Sequence, residues 1–430
     1  MVSIPPHPME ICLMPADLIL RQANLGDGAP LADIVIREGR IAAITPPGLV
    51  AGEEISLEGG LVLPGFVETH IHLDKSCIID RCDLREGSLA EAIRETARAK
   101  LAFSEDDIEQ RARRTLEKAI MAGTMKMRTH VEIDPRIGLK GFHSIQRLAK
   151  DYTWAIDIEI CVFPQEGLIN DPGCEELLIE ACRQGASLIG GCPYADTQPD
   201  EHIARIFAIA RTFDLDIDFH LDFDLDTRFL SLTEVCRQTR AHNYAGRVTI
   251  GHVTKLSALP SADFVAAARL LASSGVAVTV LPSTDLFLMG RGIDHNVPRG
   301  VTRADLLRHH GVTCSLATNN VLNAFTPFGD CSLCRIANLY ANIAQLGRRQ
   351  DLEDCLAMVT SDAARLMNIE HYGVAVGHAA DLLVFPTEAA TSAIAEIVLP
   401  RLGFKNGRRS FFRADPVLNS PVPRKHHHAK

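Results

Sequence analysis

The run Leu61-Val-Leu-Pro-Gly-Phe-Val-Glu-Thr-His70-Ile-His72-Leu-Asp74-Lys75 places two histidines two residues apart at the end of an apolar stretch. Side chains on a strand alternate between faces, so His70 and His72 share one face. Two imidazoles at a strand end can hold one divalent cation. His220 in Phe219-His220-Leu221-Asp222 and His252 in Gly251-His252-Val253-Thr254-Lys255 close two later apolar runs in the same way. A cation held by neutral imidazoles with one open position lowers the pKa of water and supplies a hydroxide nucleophile. That chemistry also needs a carboxylate to take and return a proton. The last apolar run ends in Thr318-Asn319-Asn320, which offers none. Amide oxygens ligate weakly and are not bases at neutral pH. Asp222 and Asp224 are the nearest substitutes, although Asp222-Phe-Asp-Leu-Asp226 reads equally well as a solvated acidic loop.

The elements that would position these residues alternate along the chain. Eight apolar, β-branched runs are found at Leu61–His72, Met125–Ile133, Asp157–Phe163, Ser187–Pro193, Asp216–Leu221, Arg247–Val253, Val276–Leu281 and Val312–Ala317. Helical spacing of apolar residues separates most of them, as in Ile108–Met121 and Ser261–Ser273. Eight alternating βα units predict an α/β fold, a parallel (β/α)₈ TIM barrel with its chemistry at the C-terminal strand ends. Short strand-like segments also occupy both termini: Ala16–Arg21, Ala32–Arg37 and Arg40–Ile44, then Gly377–Phe385 and Arg401–Arg409. They predict a small β-sandwich domain built from both chain ends. The expected division is 1–60 and 376–418 for the sandwich, 61–375 for the barrel, and 419–430 for a tail carrying His426 to His428.

Composition narrows the function classes. A chain of 430 residues with 47% hydrophobic and 23% charged residues suits an enzyme-sized globule. The net charge of −10 and the lack of a basic run argue against nucleic acid as a partner. No stretch of membrane-spanning length is apolar throughout, and the N-terminus lacks a signal-peptide pattern, so no membrane partner and a cytoplasmic location are expected. The twelve cysteines are scattered singly, from Cys12 onward, and read as buried hydrophobes. Cys331-Ser-Leu-Cys334 has half the spacing of a zinc knuckle, without the second pair that a full ligand set needs.

Together these residues resemble the metal-dependent amidohydrolases, within them the bacterial cytosine deaminase branch and its triazine-ring relatives. The resemblance covers nearly the whole chain. It rests on Gly-Phe-Val-Glu-Thr-His70-Ile-His72-Leu-Asp-Lys75, Arg128-Thr-His130-Val, Phe163-Pro-Gln165-Glu-Gly, His220 and Arg247-Val-Thr-Ile-Gly-His252. Gly290-Arg-Gly-Ile-Asp, Pro327-Phe-Gly329 and Gly377-His-Ala-Ala-Asp-Leu extend it. It implies one divalent metal ion, zinc or iron with manganese as a further candidate, on His70, His72 and His220. It implies that His252 polarises water or the leaving oxygen, and that Gln165 hydrogen-bonds the amide edge of a small heterocyclic substrate. Lys75 matches the triazine-hydrolysing relatives rather than the cytosine deaminases. Members of the family are often homo-oligomers, which sets that expectation here.

Two departures stand beside the matches. The family's strand-eight aspartate aligns with Asn319, which weakens the metal site, and its strand-five glutamate aligns with Phe223. Each acid–base role is worth on the order of 10² to 10⁴ in rate. The leading expectation is a hydrolase of a non-peptide C–N bond in a small nitrogen heterocycle, by deamination or amide hydrolysis, with Asp222 as the candidate proton carrier. The alternatives are a ligand-binding homologue without turnover, and a metal-independent enzyme using Lys75, Lys255 or Asp74.

Overall fold

The structure, a computed structural model, describes residues 16–26 and 28–419; Cys12 and the tail histidines lie outside the described residues. Its centre is an eight-stranded parallel sheet. The strands are Phe66–Ile71, Thr124–Glu132, Asp157–Phe163, Leu188–Gly191, Asp216–Leu221, Val248–His252, Val276–Val280 and Cys314–Leu316. First and last strands meet around Asn319: its N–H donates to the His70 carbonyl at 2.8 Å and its carbonyl accepts from the His72 N–H at 2.9 Å. That stitch closes a (β/α)₈ barrel, as predicted.

Local sequence explains the helices around it. Glu105–Met121 starts at Ser104, whose hydroxyl accepts from the Asp107 N–H, and has three acidic residues in its first turn. Leu89–Lys100, between the first two strands, starts in the same way at Ser88. The barrel core is a continuous apolar cluster including Ile71, Met127, Val162, Ile189, Phe219, Ile250, Val278 and Leu316.

The apolar run 61–72 serves two sheets instead of one. Leu61–Pro64 pairs antiparallel with Leu382–Phe385 outside the barrel, and Phe66 begins the first barrel strand. Gly65 lies between them. A Cβ there would fall 2.5 to 2.8 Å from the Met125 side chain, so the sharp passage between sheets needs glycine. The outer sheet is completed by Leu402–Lys405 and Arg408–Phe412. A second four-stranded sheet of Ala16–Ala23, Ala32–Arg37, Arg40–Thr45 and Gly52–Ser56 packs against it. Leu20, Ile34 and Ile36 of one sheet share a buried cluster with Val62, Leu382, Val384 and Phe404 of the other. Both termini thus build the small sandwich domain.

Backbone strain gathers at the C-terminal strand ends. Asp222, His252, Val253 and Asn319 have φ of 50°, 69°, 46° and 62°. Left-handed backbone at a non-glycine residue costs about 1 to 3 kcal/mol and persists where surrounding structure over-determines it. At Val253, a β-branched residue for which this conformation is rare, the Thr302 hydroxyl donates to the carbonyl at 2.7 Å. The four residues turn the chain over the barrel mouth.

Candidate active site

His70, His72 and His220 converge at that mouth. Their Nε2 atoms lie 3.0 Å apart for His70 and His220, and 3.1 Å for His72 and His220. Nitrogen ligands on a tetrahedral zinc, at 2.0 to 2.1 Å from the ion, are roughly 3.3 Å from one another. Neutral imidazoles so placed have too few N–H groups to satisfy every contact and turn lone pairs on one another, which a cation resolves. Burial, followed by the neighbouring charges, holds all three imidazoles well below the ordinary histidine pKa, the state a ligand requires. His72 Nδ1–H donates to the His130 carbonyl at 3.2 Å, which reserves its Nε2 lone pair. Gly251 clears the space: a Cβ there would stand 3.2 Å from the His70 ring. The donor set fits a divalent cation.

Support for these rings comes from below. His130 stacks on His70 with centroids 3.8 Å apart, and Arg128 bonds Asp218 at 2.9 Å beneath them. Glu68 accepts from the His70 and Thr318 N–H groups, and burial raises its carboxyl to about 7. Asn319, joined to the same strand end through its backbone, keeps Oδ1 and Nδ2 buried without a hydrogen-bond partner among the described residues. Buried polar atoms without partners are rare and mark a place for an ion or ligand.

His252 stands beside the trio, its ring centroid 5.6 Å from that of His220 and 6.1 Å from that of His70. Phe223, where the resemblance places a glutamate, stacks on His252 with centroids 3.7 Å apart. Asp285, which sequence reasoning missed, accepts from His252 Nδ1–H at 2.6 Å.

The polar wall opposite is a charged network. Lys75 Nζ, fully buried, donates to Glu132 at 2.5 Å and to the Gln165 side-chain oxygen at 3.1 Å, and lies 4.4 Å from the Phe325 ring centroid. Gln165 Nε2 reaches Cys192 Sγ at 3.5 Å. Lys100, the last residue of helix Leu89–Lys100, contacts Glu132 at 2.8 Å, Asp134 at 2.7 Å and Glu166 at 2.6 Å. Those carboxylates raise its pKa against the effect of burial. Despite burial, Glu132 is held below the usual carboxylate range by Lys100 and Lys75, and Asp134 by Lys100 and Arg136. Sequence reasoning assigned Lys100 and Glu132 no role; neither lies in a spacing that marks chemistry.

Asp222 is spent elsewhere. Its carboxylate accepts the Ser231 N–H at 2.9 Å and the Leu232 N–H at 3.1 Å, capping the start of helix Leu232–Ala241. Asp224 sits on the surface, 3.4 Å from Lys255. Asp222→Ala is therefore expected to lower stability by about 1 to 2 kcal/mol, the scale of a lost helix cap. Metal content should be unchanged, read by denaturant titration alongside elemental analysis; loss of metal would place Asp222 at the cation.

A roof closes the mouth. Phe223, Leu288, Met289, Ala324 and Phe325 cluster with Ala92 of helix Leu89–Lys100. The four histidines are no more than 2% exposed.

Comparison with known proteins agrees with this fold. The profile of the amidohydrolase family matches residues 53–151 and 159–411. The chain is 28% identical to the N-isopropylammelide isopropyl amidohydrolase of Pseudomonas sp. (strain ADP), over 91% of this chain and 96% of that protein. It is 27% identical to a pterin deaminase of Rhizobium rhizogenes, over 89% of this chain and 88% of that protein. Among solved structures it resembles the 5-methylcytosine deaminase of Klebsiella pneumoniae liganded with 5-fluorocytosine. The TM-score is 0.89 at 26% identity, with 94% of this chain and 99% of that one covered. No helix among the described residues is long and apolar enough to cross a membrane.

Proposed function

The chain belongs to the amidohydrolase family, and from that premise we propose a metal-dependent hydrolase of a non-peptide C–N bond in a small nitrogen heterocycle, cytosine deaminase-like in outline. The observation that carries this reading is the approach of the His70, His72 and His220 Nε2 atoms to 3.0 and 3.1 Å. Relatives that act as deaminases and amidohydrolases on heterocycles support the bond class.

His70, His72 and His220 would hold the divalent cation, zinc or iron with manganese as the alternative, and Asn319 would add at most a neutral amide oxygen. The cation supplies Lewis acidity, lowering the pKa of water toward neutrality. Lys75 and Gln165 orient the ring by hydrogen bonds to its amide edge, while the roof excludes bulk water. Asp222 positions the loop after strand five rather than carrying protons. His252 takes the proton released as water adds to the ring carbon and returns it to the departing nitrogen. The products are an oxo ring and ammonia or an amine.

The test is direct. Protein loaded with zinc, iron or manganese is offered cytosine, 5-fluorocytosine, pterin and N-isopropylammelide, with release of ammonia or amine followed and metal counted. About one ion per chain, with turnover lost to a chelator and regained with metal, supports the reading. No bound metal and no turnover of any ring rejects it. Ring binding without turnover would favour a silent binding homologue, a reading motivated by Asn319 and Phe223 where the family has acids. Asn319→Asp is expected to tighten metal binding at least tenfold, because a charged oxygen ligand replaces a neutral one. Unchanged affinity in a chelator competition would mean that the strand-eight end does not face the ion.

A further inference from the structure

Resting on that functional reading, we propose that Asp285 is the positioning residue that makes His252 the proton carrier of this site, by holding its Nδ1–H so that Nε2 keeps a free lone pair. Asp285 lies in the short helix Pro282–Leu288 that follows strand seven, completely buried. Its Oδ1 accepts from His252 Nδ1–H at 2.6 Å, and its Oδ2 accepts from the Leu281 N–H at 3.3 Å. The second bond fixes the carboxylate on its own helix, so the first fixes the imidazole.

Three further restraints act on the same ring. Phe223 lies flat against one face, with centroids 3.7 Å apart and planes at 28°. The backbone of His252 and Val253 is left-handed, and Thr302 ties down the Val253 carbonyl at 2.7 Å. Ring direction and tautomer are both determined. Nε2 makes no hydrogen bond to any described residue, although its ring neighbours those of His220 and His70. An imidazole gripped at one nitrogen and unoccupied at the other is the arrangement in which a carboxylate orients a base without itself accepting the proton.

This arrangement also accounts for the lost acids. Asn319 cannot accept a proton and Phe223 has no ionisable group, and His252 serves both halves of the reaction. As water adds, its O–H bond breaks, the C–O bond forms and the proton moves to His252 Nε2. The same proton then passes to the departing nitrogen as the C–N bond breaks, which leaves His252 neutral again and a hydroxyl on the ring carbon, whose proton moves to the adjacent ring nitrogen to give the oxo product. Asp285 keeps its hydrogen bond to Nδ1–H, and its carboxylate stabilises the imidazolium that forms between the two halves.

The experiment has two independent arms. Proton-detected NMR of histidine-¹⁵N-labelled protein at mildly alkaline pH, with His252 assigned by His252→Gln, reads the tautomer directly. The expected wild-type signature is Nδ1–H with unprotonated Nε2, lost in Asp285→Asn, whose amide N–H₂ can donate to Nδ1. An Nε2–H signature in the wild type overturns the proposal. In the second arm, kinetics on whichever ring the wild type turns over should show kcat falling on the order of 10²-fold or more in Asp285→Asn. KM, metal content and melting temperature are expected to stay near wild type, and Asp285→Glu should recover part of kcat. An Asp285→Asn enzyme with wild-type kcat, or one impaired only through metal loss, also overturns it. If no ring is turned over, the functional reading fails, and the NMR arm alone still decides whether Asp285 sets the His252 tautomer.

Discussion

Replacing His220 with alanine is expected to strip the cation from the protein and to abolish hydrolysis. His220 Nε2 is the common point of the cluster, 3.0 Å from His70 and 3.1 Å from His72. Its removal leaves two nitrogens from one strand, which cannot enclose an ion by themselves. Loss of a hydrogen-bonding partner behind a ligand costs roughly 10- to 100-fold in metal affinity, so loss of the ligand itself should exceed that. Elemental analysis should fall from about one ion per chain to near zero while circular dichroism retains the barrel signature. Wild-type stoichiometry in His220→Ala would remove His220 from the ligand set, and the proposed chemistry with it.

The second large effect is on stability. Lys100→Met should cost about 3 to 5 kcal/mol at neutral pH, the range for removing one partner from a buried ionic group. The substitution leaves Glu132, Asp134 and Glu166 to Lys75 and the half-exposed Arg136. In the wild type Glu132 and Asp134 have depressed pKa values, so their stabilisation is present above the ordinary carboxylate range and is lost as pH falls through their folded-state values. In the variant, burial without the lysine pushes carboxyl pKa values up, and its folded state gains relative stability as pH falls into that range. The gap between the two proteins should therefore narrow with acidification. Chemical denaturation at several pH values measures it, and a gap independent of pH would show that packing rather than charge holds Lys100 in place.

The barrel and its histidines are legible in sequence because two simple periods govern them. Alternation on strands places His70 and His72 on one face, and the strand-end rule gathers His220 and His252 at the same mouth. Asp285 is not legible by either rule. It lies 33 residues from its partner, inside a short helix, and only the closure of the barrel brings the two together. Lys100 escapes notice for the same reason, since it reaches the mouth from a helix between strands one and two. Asp222 misleads in the opposite way: proximity to His220 in sequence suggests proton transfer, whereas two backbone N–H groups claim its carboxylate. The run 61–72 reads as one strand because hydrophobic alternation does not register which sheet a residue joins, and only Gly65 marks the change.

The roof over the histidines has a kinetic meaning. With Phe223, Phe325, Leu288, Met289 and Ala92 packed above rings that solvent hardly reaches, a planar substrate enters only when this cover lifts. One edge of the cover is the helix Leu89–Lys100, and the ionic grip of Lys100 on Asp134 and Glu166 anchors that helix at its C-terminal end. At its other end the Glu91 carboxylate accepts the N–H groups of Arg85, Glu86 and Gly87, so the helix is tied down at both ends. An enzyme whose cover must lift to admit substrate is paced by that motion as well as by the height of the chemical barrier.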